Sequence, residues 1–406
     1  MNSIGFIRLL KQIHGQNLPD LDWIQSQGLL AIKIAQHYAL RVDFLDESVC
    51  LELAKLFGHA SSVPPENVRA LLAKRVDQSW HESVREFDDT PVASASIGQV
   101  HRARHADGTP LAVKIIKEDY RERFLADLTR LRRLLRVVLV VYPKLRKVFD
   151  PLGVLAHIED YTINELDLRN EIAGQQTLKK IAADYSGAYD LSALRFARLY
   201  PELSGPGILV GEFVEGSTFD RLLERGELPY EKLLQVFGIH GLFLFAPGVF
   251  HGDIHPGNIM LRPDGTICLI DTGAVSRVGK RIRRGLFNFF VALCTYDYPD
   301  CVRRMNEMAE TGISGSRLHT FERRFNTLYR DFRGKTVSEA SLTRQMMETI
   351  KLAVNCGMVF EKGMFSIIKS MMYLNGMVLR CRPEARLIED MKPHILAFQA
   401  VMKAEE

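Results

Sequence analysis

The chain has few of the residues that mark disulfide scaffolds, zinc sites and membrane spans. Its 406 residues include six cysteines, and no two of them form a C-x-x-C pair. A disulfide framework or a structural zinc site is therefore not expected, and a reducing compartment fits this usage. The longest apolar runs, such as VVLVVY at 137–142, are far shorter than the roughly 20 residues that a spanning helix needs.

Two further absences bound the location and the partners. The segment MNSIGFIRLLKQIHG has a very short apolar run and lacks a small-residue cleavage site, so we expect no signal peptide. The segment LIEDMKPHILAFQAVMKAEE is too polar for a membrane helix. The net charge of +4 is too small to indicate nucleic-acid binding by itself. These features predict a cytoplasmic protein whose membrane association, if it occurs, is peripheral.

The order of helical and strand-like patterns predicts an α+β protein with three parts. Residues 1–85 have helical periodicity, and Pro65 stands where a helix should begin. Residues 86–215 contain short β-rich runs interrupted by a long helical insert, and residues 216–406 are mostly helical. We therefore expect a helical extension, a small β-rich lobe with a helical insert, and a large helical lobe.

The stretch FHGDIHPGNIMLRPDGTICLIDTGAV at 250–275 carries three polar groups with a suggestive spacing. Asp253 precedes Asn258 by five residues, and Asp271 follows beyond a predicted hairpin with a Pro-Asp-Gly turn. Such a hairpin would return Asp271 to the neighbourhood of Asn258. The alternative is a turn-rich loop followed by an ordinary hairpin.

This spacing is typical of kinase-type phosphoryl transfer, in which D-x-x-x-x-N precedes a D-x-G metal aspartate. Asn258 and Asp271 would supply oxygen ligands to Mg²⁺, which prefers carboxylate and carbonyl ligands shared with phosphate. Asp253 would orient or deprotonate the nucleophile. We therefore predict Asp253 as the catalytic acid–base residue, with Asn258 and Asp271 as metal ligands.

Two upstream residues resemble the phosphate clamp of kinases. Lys114 in LAVKII lies on a predicted strand, where a lysine among apolar residues needs an anionic partner. Glu171 lies on a predicted helix and is the natural ion-pair partner for Lys114. The alternative for Glu171 alone is an exposed helical glutamate.

The window that matches a kinase phosphate loop is rich in alanine instead of glycine. Only the last glycine and the valine of G-x-G-x-x-G-x-V are in place, and alanine restricts close backbone approach to phosphate. ILVGEFVEG resembles an interlobe hinge whose backbone would bind adenine, although any buried edge strand looks similar. The predicted nucleotide-binding residues are Ala93, Ser94, Ala95, Ser96, Gly98, Val100, Lys114, Glu212 and Val214.

Together the motifs PVASASIGQVH, AVKI, ELDLRNE, FHGDIHPGNI and LIDTG resemble the UbiB-type atypical kinase-like family. The resemblance covers the chain from about residue 30 to about residue 390. It implies a bilobal protein-kinase-like fold that binds ATP or ADP with Mg²⁺ or Mn²⁺. It also implies a supporting role in quinone or isoprenoid-lipid metabolism. The sequence leaves the oligomeric state open, with a homodimer as one alternative.

The resemblance extends to the helical extension. Family members carry K-x-G-Q, and the match here is KIAQ from Lys33 to Gln36, with alanine in place of glycine. The family's E-x-D pair falls on Glu165 and Asp167. The resemblance implies that Lys33 and Gln36 face these acids and the nucleotide pocket and regulate access to it. The alternative places Lys33 and Gln36 on a solvated helix face.

The leading hypothesis is a Mg²⁺-dependent ATPase or a phosphotransferase acting on a small molecule or lipid. Alternatives are a nucleotide-switched scaffold without turnover and a small-molecule kinase of the aminoglycoside or choline type. Protein kinase activity is not expected, because no A-P-E segment follows DTG. The basic run RLRRLLRVVLVVYPKLRK at 130–147 is either a solvated cationic face or a peripheral contact with an anionic membrane.

Overall fold

The computed structural model describes most of the chain. It covers residues 3–15, 17–39, 45, 47–57, 62–141, 151–361 and 363–404. Residues 142–147 of the predicted basic run lie outside this described part. The chain forms two compact units, of which the first contains Met1–Ile172 and Arg198–Phe213, and the second Ala173–Ala197 and Val214–Glu406.

The first unit begins with short helices, as the sequence predicts. They are α1 (Ser3–Ile13), α2 (Leu21–Ser26), α3 (Leu29–Ala39), α4 (Glu47–Ala54), α5 (Pro65–Arg75) and α6 (Gln78–Ser83). Asp20 and Asp77 cap α2 and α6 by accepting hydrogen bonds from backbone N–H groups of the first turn. Helix α5 begins at Pro65, whose missing N–H costs nothing at a helix start.

An antiparallel sheet forms the β-rich part of the first unit. Its strands are β1 (Val84–Arg85), β2 (Pro91–Ser94), β3 (Gly98–His105), β4 (Pro110–Ile116) and β6 (Ile208–Glu212), in the order β1-β3-β4-β6 with β2 paired to β3. A turn at Asp107-Gly108 joins β3 to β4, and Gly108 has φ +90°. Strand alternation buries Leu111, Val113 and Ile115 on one face, so Lys114 lies on the other.

The predicted helical insert follows the hairpin. It consists of α7 (Tyr120–Val141), α8 (Pro151–Glu165) and α9 (Arg169–Tyr185). Helices α3, α7 and α8 share an apolar core that includes Ala35, Phe124 and Leu155. The helical extension and the insert therefore bury one continuous core, which explains why nearly every residue of α3 is buried, including Lys33 and Gln36.

The second unit contains two small sheets. β5 (Leu194–Phe196), β10 (Ile267–Leu269), β9 (Ile259–Leu261) and β7 (Ser217–Thr218) form one sheet in this order, and β8 (Val249–His251) pairs with β11 (Val275–Arg277). The predicted hairpin is β9–β10, with Gly265 at φ +78° in its turn. β5 lies within the 86–215 range assigned to the β-rich lobe, but it pairs in parallel with β10.

Helices make up the rest of the second unit, in agreement with the sequence pattern. They are α10 (Phe219–Arg225), α11 (Tyr230–Phe245), α12 (Lys280–Cys294), α13 (Tyr298–Met308), α14 (Gly315–Leu328), α15 (Leu342–Asn355), α16 (Met364–Cys381) and α17 (Leu387–Ala404). They surround a core in which Phe243, Phe289 and Phe398 are almost fully buried. Within the described residues no helix is both long enough and apolar enough to cross a membrane.

Candidate active site

The alanine-rich loop is a tight β-turn between β2 and β3. Ala93 pairs with Val100 across the strands, and the Ala95 N–H donates to the Gly98 carbonyl over 2.8 Å. A Cβ at Gly98 would stand 3.2 Å from the carbonyl oxygen of Ile115 on β4. Gly98 is therefore required by the close approach of the neighbouring strand, whether or not a phosphate binds.

Lys117 supports this loop, and the sequence analysis missed it. Its ammonium donates to the Ala95 carbonyl over 2.6 Å, and its backbone N–H donates to Ile97. The side chain is buried, and burial lowers the pKa of Lys117 to about 8. The only feature of the sequence that indicated this role of Lys117 was its position directly after the strand that carries Lys114.

Lys114 and Glu171 form an ion pair, as predicted. Lys114 is on β4, and Glu171 is in the first turn of α9 and 5% exposed. The backbone N–H of Leu168 donates a hydrogen bond to the Pro206 carbonyl, and this bond fixes the start of α9. A buried pair is costly to break because the remaining charge is left in an apolar setting, so the exposed-glutamate alternative is wrong.

Glu212 is the last residue of β6, and its backbone and its side chain each form a hydrogen bond with the backbone of Arg198. Its N–H donates to the Arg198 carbonyl over 2.7 Å, and its side chain accepts from the Arg198 N–H over 3.1 Å. Since its N–H is already bonded to Arg198, only its carbonyl remains to accept a hydrogen bond from the adenine amine. Val214 is buried in the second unit. The adenine-binding role of these two residues stays a prediction.

The predicted regulatory residues divide into two pairs and one backbone contact. Lys33 forms an ion pair with Glu165, as the resemblance implies. Gln36, however, donates to the Leu56 carbonyl over 2.8 Å, and Asp167 pairs with Arg169. Hydrogen bonds from Arg169 lower the pKa of Asp167. Lys33 and Gln36 are each only 4% exposed, so the solvated-face alternative is wrong.

In the second unit the three predicted polar residues are tied together by the backbone. Asn258 Nδ2 donates to the Asp253 carbonyl over 3.0 Å, which leaves Oδ1 for another partner. The Ile270 N–H donates to the Asn258 carbonyl over 3.1 Å, so the hairpin does return the chain to Asn258. The DTG segment that follows therefore starts beside the loop that carries Asp253 and Asn258, as predicted.

His251 links the two segments directly. Its Nδ1 accepts from the Asp253 N–H over 3.1 Å, so Nε2 carries the proton and donates to the Asp271 carbonyl. Burial lowers the pKa of His251 against the opposing effect of Asp271 and Asp253. A neutral ring with this tautomer holds Asp253 and Asp271 in one fixed arrangement.

Lys369 and Tyr373 on α16 face Asp253, and the sequence analysis identified neither. Lys369 Nζ lies 2.9 Å from Asp253 Oδ1, with side chains 9% and 17% exposed. Burial alone would raise the pKa of Asp253, but the Lys369 charge and hydrogen bond hold it below its ordinary value. Burial, followed by the charge of Asp253, raises the pKa of Tyr373 well above its ordinary range. Asp253 is therefore an ionised carboxylate beside an ammonium and a phenol.

Gly174 on α9 allows a close approach to the DTG segment. A Cβ at this position would lie 1.9 Å from the Thr272 carbonyl oxygen, a distance that no side chain tolerates. The Gly273 N–H in turn points at Asp271 Oδ1 over 3.4 Å. Gly174, three residues after Glu171, thus allows the DTG segment that carries Asp271 to pack closely against α9.

The donor set suits a divalent metal shared with phosphate. Asn258 Oδ1 and the Asp271 carboxylate are hard oxygen donors, the type that Mg²⁺ selects. Across the described residues no three His, Cys, Asp or Glu side chains gather as a self-sufficient metal cage. Mg²⁺ in phosphoryl-transfer sites needs only one or two carboxylates, with phosphate and water completing the shell.

Comparison with known proteins matches this arrangement to a family. Residues 55–305 match the ABC1 atypical kinase-like domain. An uncharacterized protein of the hydrogenase 1 5′ region of Clostridium pasteurianum is 26% identical over 383 residues, covering 91% of this chain and 69% of that protein. The probable protein kinase UbiB of Aeromonas salmonicida is 28% identical over 384 residues, covering 91% and 68%.

A further UbiB relative and one solved structure agree with this match. The probable protein kinase UbiB of Vibrio parahaemolyticus is 26% identical over 385 residues, covering 92% of this chain and 68% of that protein. The structure of Rv3197 of Mycobacterium tuberculosis in complex with erythromycin superposes with a TM-score of 0.53 at 22% identity, covering 94% and 96%. This likeness confirms the predicted α+β, bilobal kinase-like fold. Since the matched domain spans more than half of the 406 residues, the chain belongs to the ABC1 atypical kinase-like family, and the UbiB-type resemblance is confirmed.

Proposed function

We propose that this kinase-like protein binds ATP or ADP with Mg²⁺ or Mn²⁺ and cleaves the γ-phosphate of ATP. The acceptor is water, or a hydroxyl of a small molecule or lipid in quinone or isoprenoid-lipid metabolism. The observation that carries the proposal is the ionised Asp253, held beside Lys369 and joined through His251 to Asp271. A carboxyl group must be deprotonated and held in place before it can act as a general base.

The residues would divide the work as follows. Asp253 accepts the proton of the attacking water or hydroxyl, and Lys369 keeps that carboxylate ionised between turnovers. In the first unit Lys114, oriented by Glu171, binds the α- and β-phosphates. A divalent metal on Asn258 and Asp271 would supply neutralisation of the phosphate charge. Catalysis then rests on positioning and electrostatics, and little covalent chemistry falls to the protein.

A water, small-molecule or lipid acceptor is supported over a protein acceptor by two features. No A-P-E segment follows DTG to support a peptide substrate. The helical extension also keeps Lys33 buried against Glu165, so this side chain is not exposed to bind a peptide. The two UbiB relatives carry the name of a probable protein kinase, and that name describes them alone.

A peripheral contact with anionic membrane is supported by α7. Arg133, Arg136, Val137 and Val140 are all exposed, and the two valines are 63% and 81% exposed. Adjacent basic and apolar side chains on one helix are the composition that binds anionic lipid surfaces. Membrane binding would bring the protein to an isoprenoid or quinone-type lipid.

The test is Mg²⁺-dependent phosphate release from γ-labelled ATP, with and without anionic liposomes. Asp253→Asn and Asp271→Asn should each abolish release, while Asp184→Asn, an exposed control on α9, should leave it unchanged. Liposomes should raise wild-type release, and Arg133→Glu with Arg136→Glu should remove that increase. Nucleotide binding without release under any condition would contradict the proposal and favour a nucleotide-switched scaffold.

A further inference from the structure

The second unit contains an internal cavity that plays no part in the site described above. It has a volume of about 80 Å³ and lies among α11, α12, α15, α16 and α17. Its walls are almost entirely apolar, with Phe237, Leu244, Leu374 and Phe398 among them. A space of this size would accept several waters or one molecule on the order of six to ten non-hydrogen atoms.

Three buried polar side chains line this cavity without full hydrogen bonding. His240, Ser370 and Asn375 are 3%, 1% and 8% exposed. Neither ring nitrogen of His240 has a partner in the described part of the chain, nor do Ser370 Oγ and Asn375 Oδ1. Buried polar groups usually find a partner, since leaving one unsatisfied costs roughly 1–3 kcal/mol. These atoms therefore mark where the polar part of an occupant would sit.

The lining also defines the charge of the occupant. Among the described residues that line the cavity there is no Asp, Glu, Lys or Arg, so a charged molecule would meet no counter-ion from them. Burial lowers the pKa of His240 to about 3, which leaves a neutral ring offering one donor and one acceptor. Ser370 adds a hydroxyl, and Asn375 adds a carbonyl oxygen. A lining that offers both donors and acceptors suits a hydroxyl, which both gives and accepts a hydrogen bond.

We propose that this cavity binds a small, neutral, mostly apolar molecule that carries a hydroxyl group. The apolar part packs against the phenylalanine and leucine side chains, and the hydroxyl bonds to Ser370 and His240. Helix α16 places Ser370 at the cavity and the adjacent Lys369 on Asp253. The ligand therefore seats against the helix that holds the catalytic aspartate in its ionised form.

Methionine methyl groups provide a direct binding readout. Met371 and Met391 line the cavity, whereas Met305 is buried elsewhere in the same unit and serves as an internal reference. In methyl-labelled full-length protein, cyclohexanol should shift the Met371 and Met391 signals saturably and leave Met305 unchanged. Methylcyclohexane, which has the same shape without a hydroxyl, should bind about fivefold more weakly, the value of one hydrogen bond.

Two variants separate the site from non-specific binding. Leu374→Trp should fill the cavity and abolish the saturable shifts, and Ser370→Ala, which removes only a hydroxyl, should weaken cyclohexanol binding about fivefold while sparing methylcyclohexane. A melting transition like that of the wild type would verify that each variant folds. Absence of saturable shifts in the wild type, as for a cavity that holds only water, would overturn the proposal. Equal shifts in the Leu374→Trp variant would overturn it as well.

Discussion

The two units each bury a lysine–carboxylate pair, and the roles within the pairs are reversed. In the proposed mechanism Glu171 of the first unit is the support, and Lys114 is the group that would bind phosphate. In the second unit Lys369 is the support, and Asp253 is the group that would react. Under this proposal the same pair of charges prepares a cation for binding in one unit and an anion for catalysis in the other.

Breaking the first pair should have the larger effect on kcat/KM. We expect Lys114→Met to lower kcat/KM for ATP about 100-fold, mainly by raising KM, because the α- and β-phosphates lose their cation. Glu171→Gln should give a similar loss, since Lys114 is then held less firmly. Steady-state phosphate release would measure both, with the exposed Lys180→Met as the matched control. Equal kcat/KM in Lys114→Met and wild type would contradict the clamp.

Breaking the second pair should shift the pH dependence as well as the rate. Without Lys369 the burial of Asp253 is unopposed, so its pKa rises. A base must be deprotonated to act, so the acid limb of the kcat/KM profile should move to higher pH in Lys369→Met, with about a tenfold loss at pH 7.

Lys392→Met, on the exposed surface of α17, is the control for this profile. It removes a lysine without touching Asp253 and should retain the wild-type acid limb. An acid limb that stays in place in Lys369→Met would show that Lys369 does not set the charge of Asp253.

The alanine-rich loop offers a smaller test of the first unit. Lys117→Met removes the bond to the Ala95 carbonyl, and we expect KM for ATP to rise about threefold because the loop is less ordered. In the wild type KM should also rise above pH 8, where Lys117 loses its charge, and in the variant it should not. Identical pH dependence of KM in the two proteins would contradict a role for Lys117 in ordering the loop.

The smallest expected effect is on acid stability. A histidine in the unfolded chain takes up a proton near pH 6.5, but the native pKa of His240 is about 3. The unfolded state therefore binds more protons between these values, and the free energy of unfolding falls as the pH drops through this window. His240→Phe should flatten this dependence in urea titrations, and the exposed His319→Phe should not. An unchanged slope in His240→Phe would contradict a neutral buried ring.

The sequence predicted the parts of the site that are encoded locally. Lys114 is a charged residue in an otherwise apolar strand, which indicates that it has an anionic partner. A short loop and one hairpin determine the relative positions of Asp253, Asn258 and Asp271. Turn chemistry and strand alternation determine these positions, so the residues themselves reveal the arrangement. The helical extension and the insert were predicted from periodicity for the same reason.

Residues that act through distant packing could not be found this way. Lys369 and Tyr373 lie on a long helix whose pattern is that of any core helix, and only the fold brings them to Asp253. The sequence pattern assigns β5 to the β-rich lobe, because the composition of a strand does not indicate which strand it pairs with. In the structure β5 pairs with β10. Gln36 departs from the expected acids because the Leu56 carbonyl is within reach.

The most direct test of the central claim compares Asp253→Asn with Asp271→Asn in two measurements on the same samples. Binding of a nucleotide analogue with and without Mg²⁺ reports the metal site, and single-turnover phosphate release reports the base. We expect Asp253→Asn to bind nucleotide as the wild type does, with Mg²⁺ dependence intact, and to release phosphate at least about 100-fold more slowly. Asp271→Asn should lose the Mg²⁺-dependent part of binding. Wild-type phosphate release by Asp253→Asn would contradict the account.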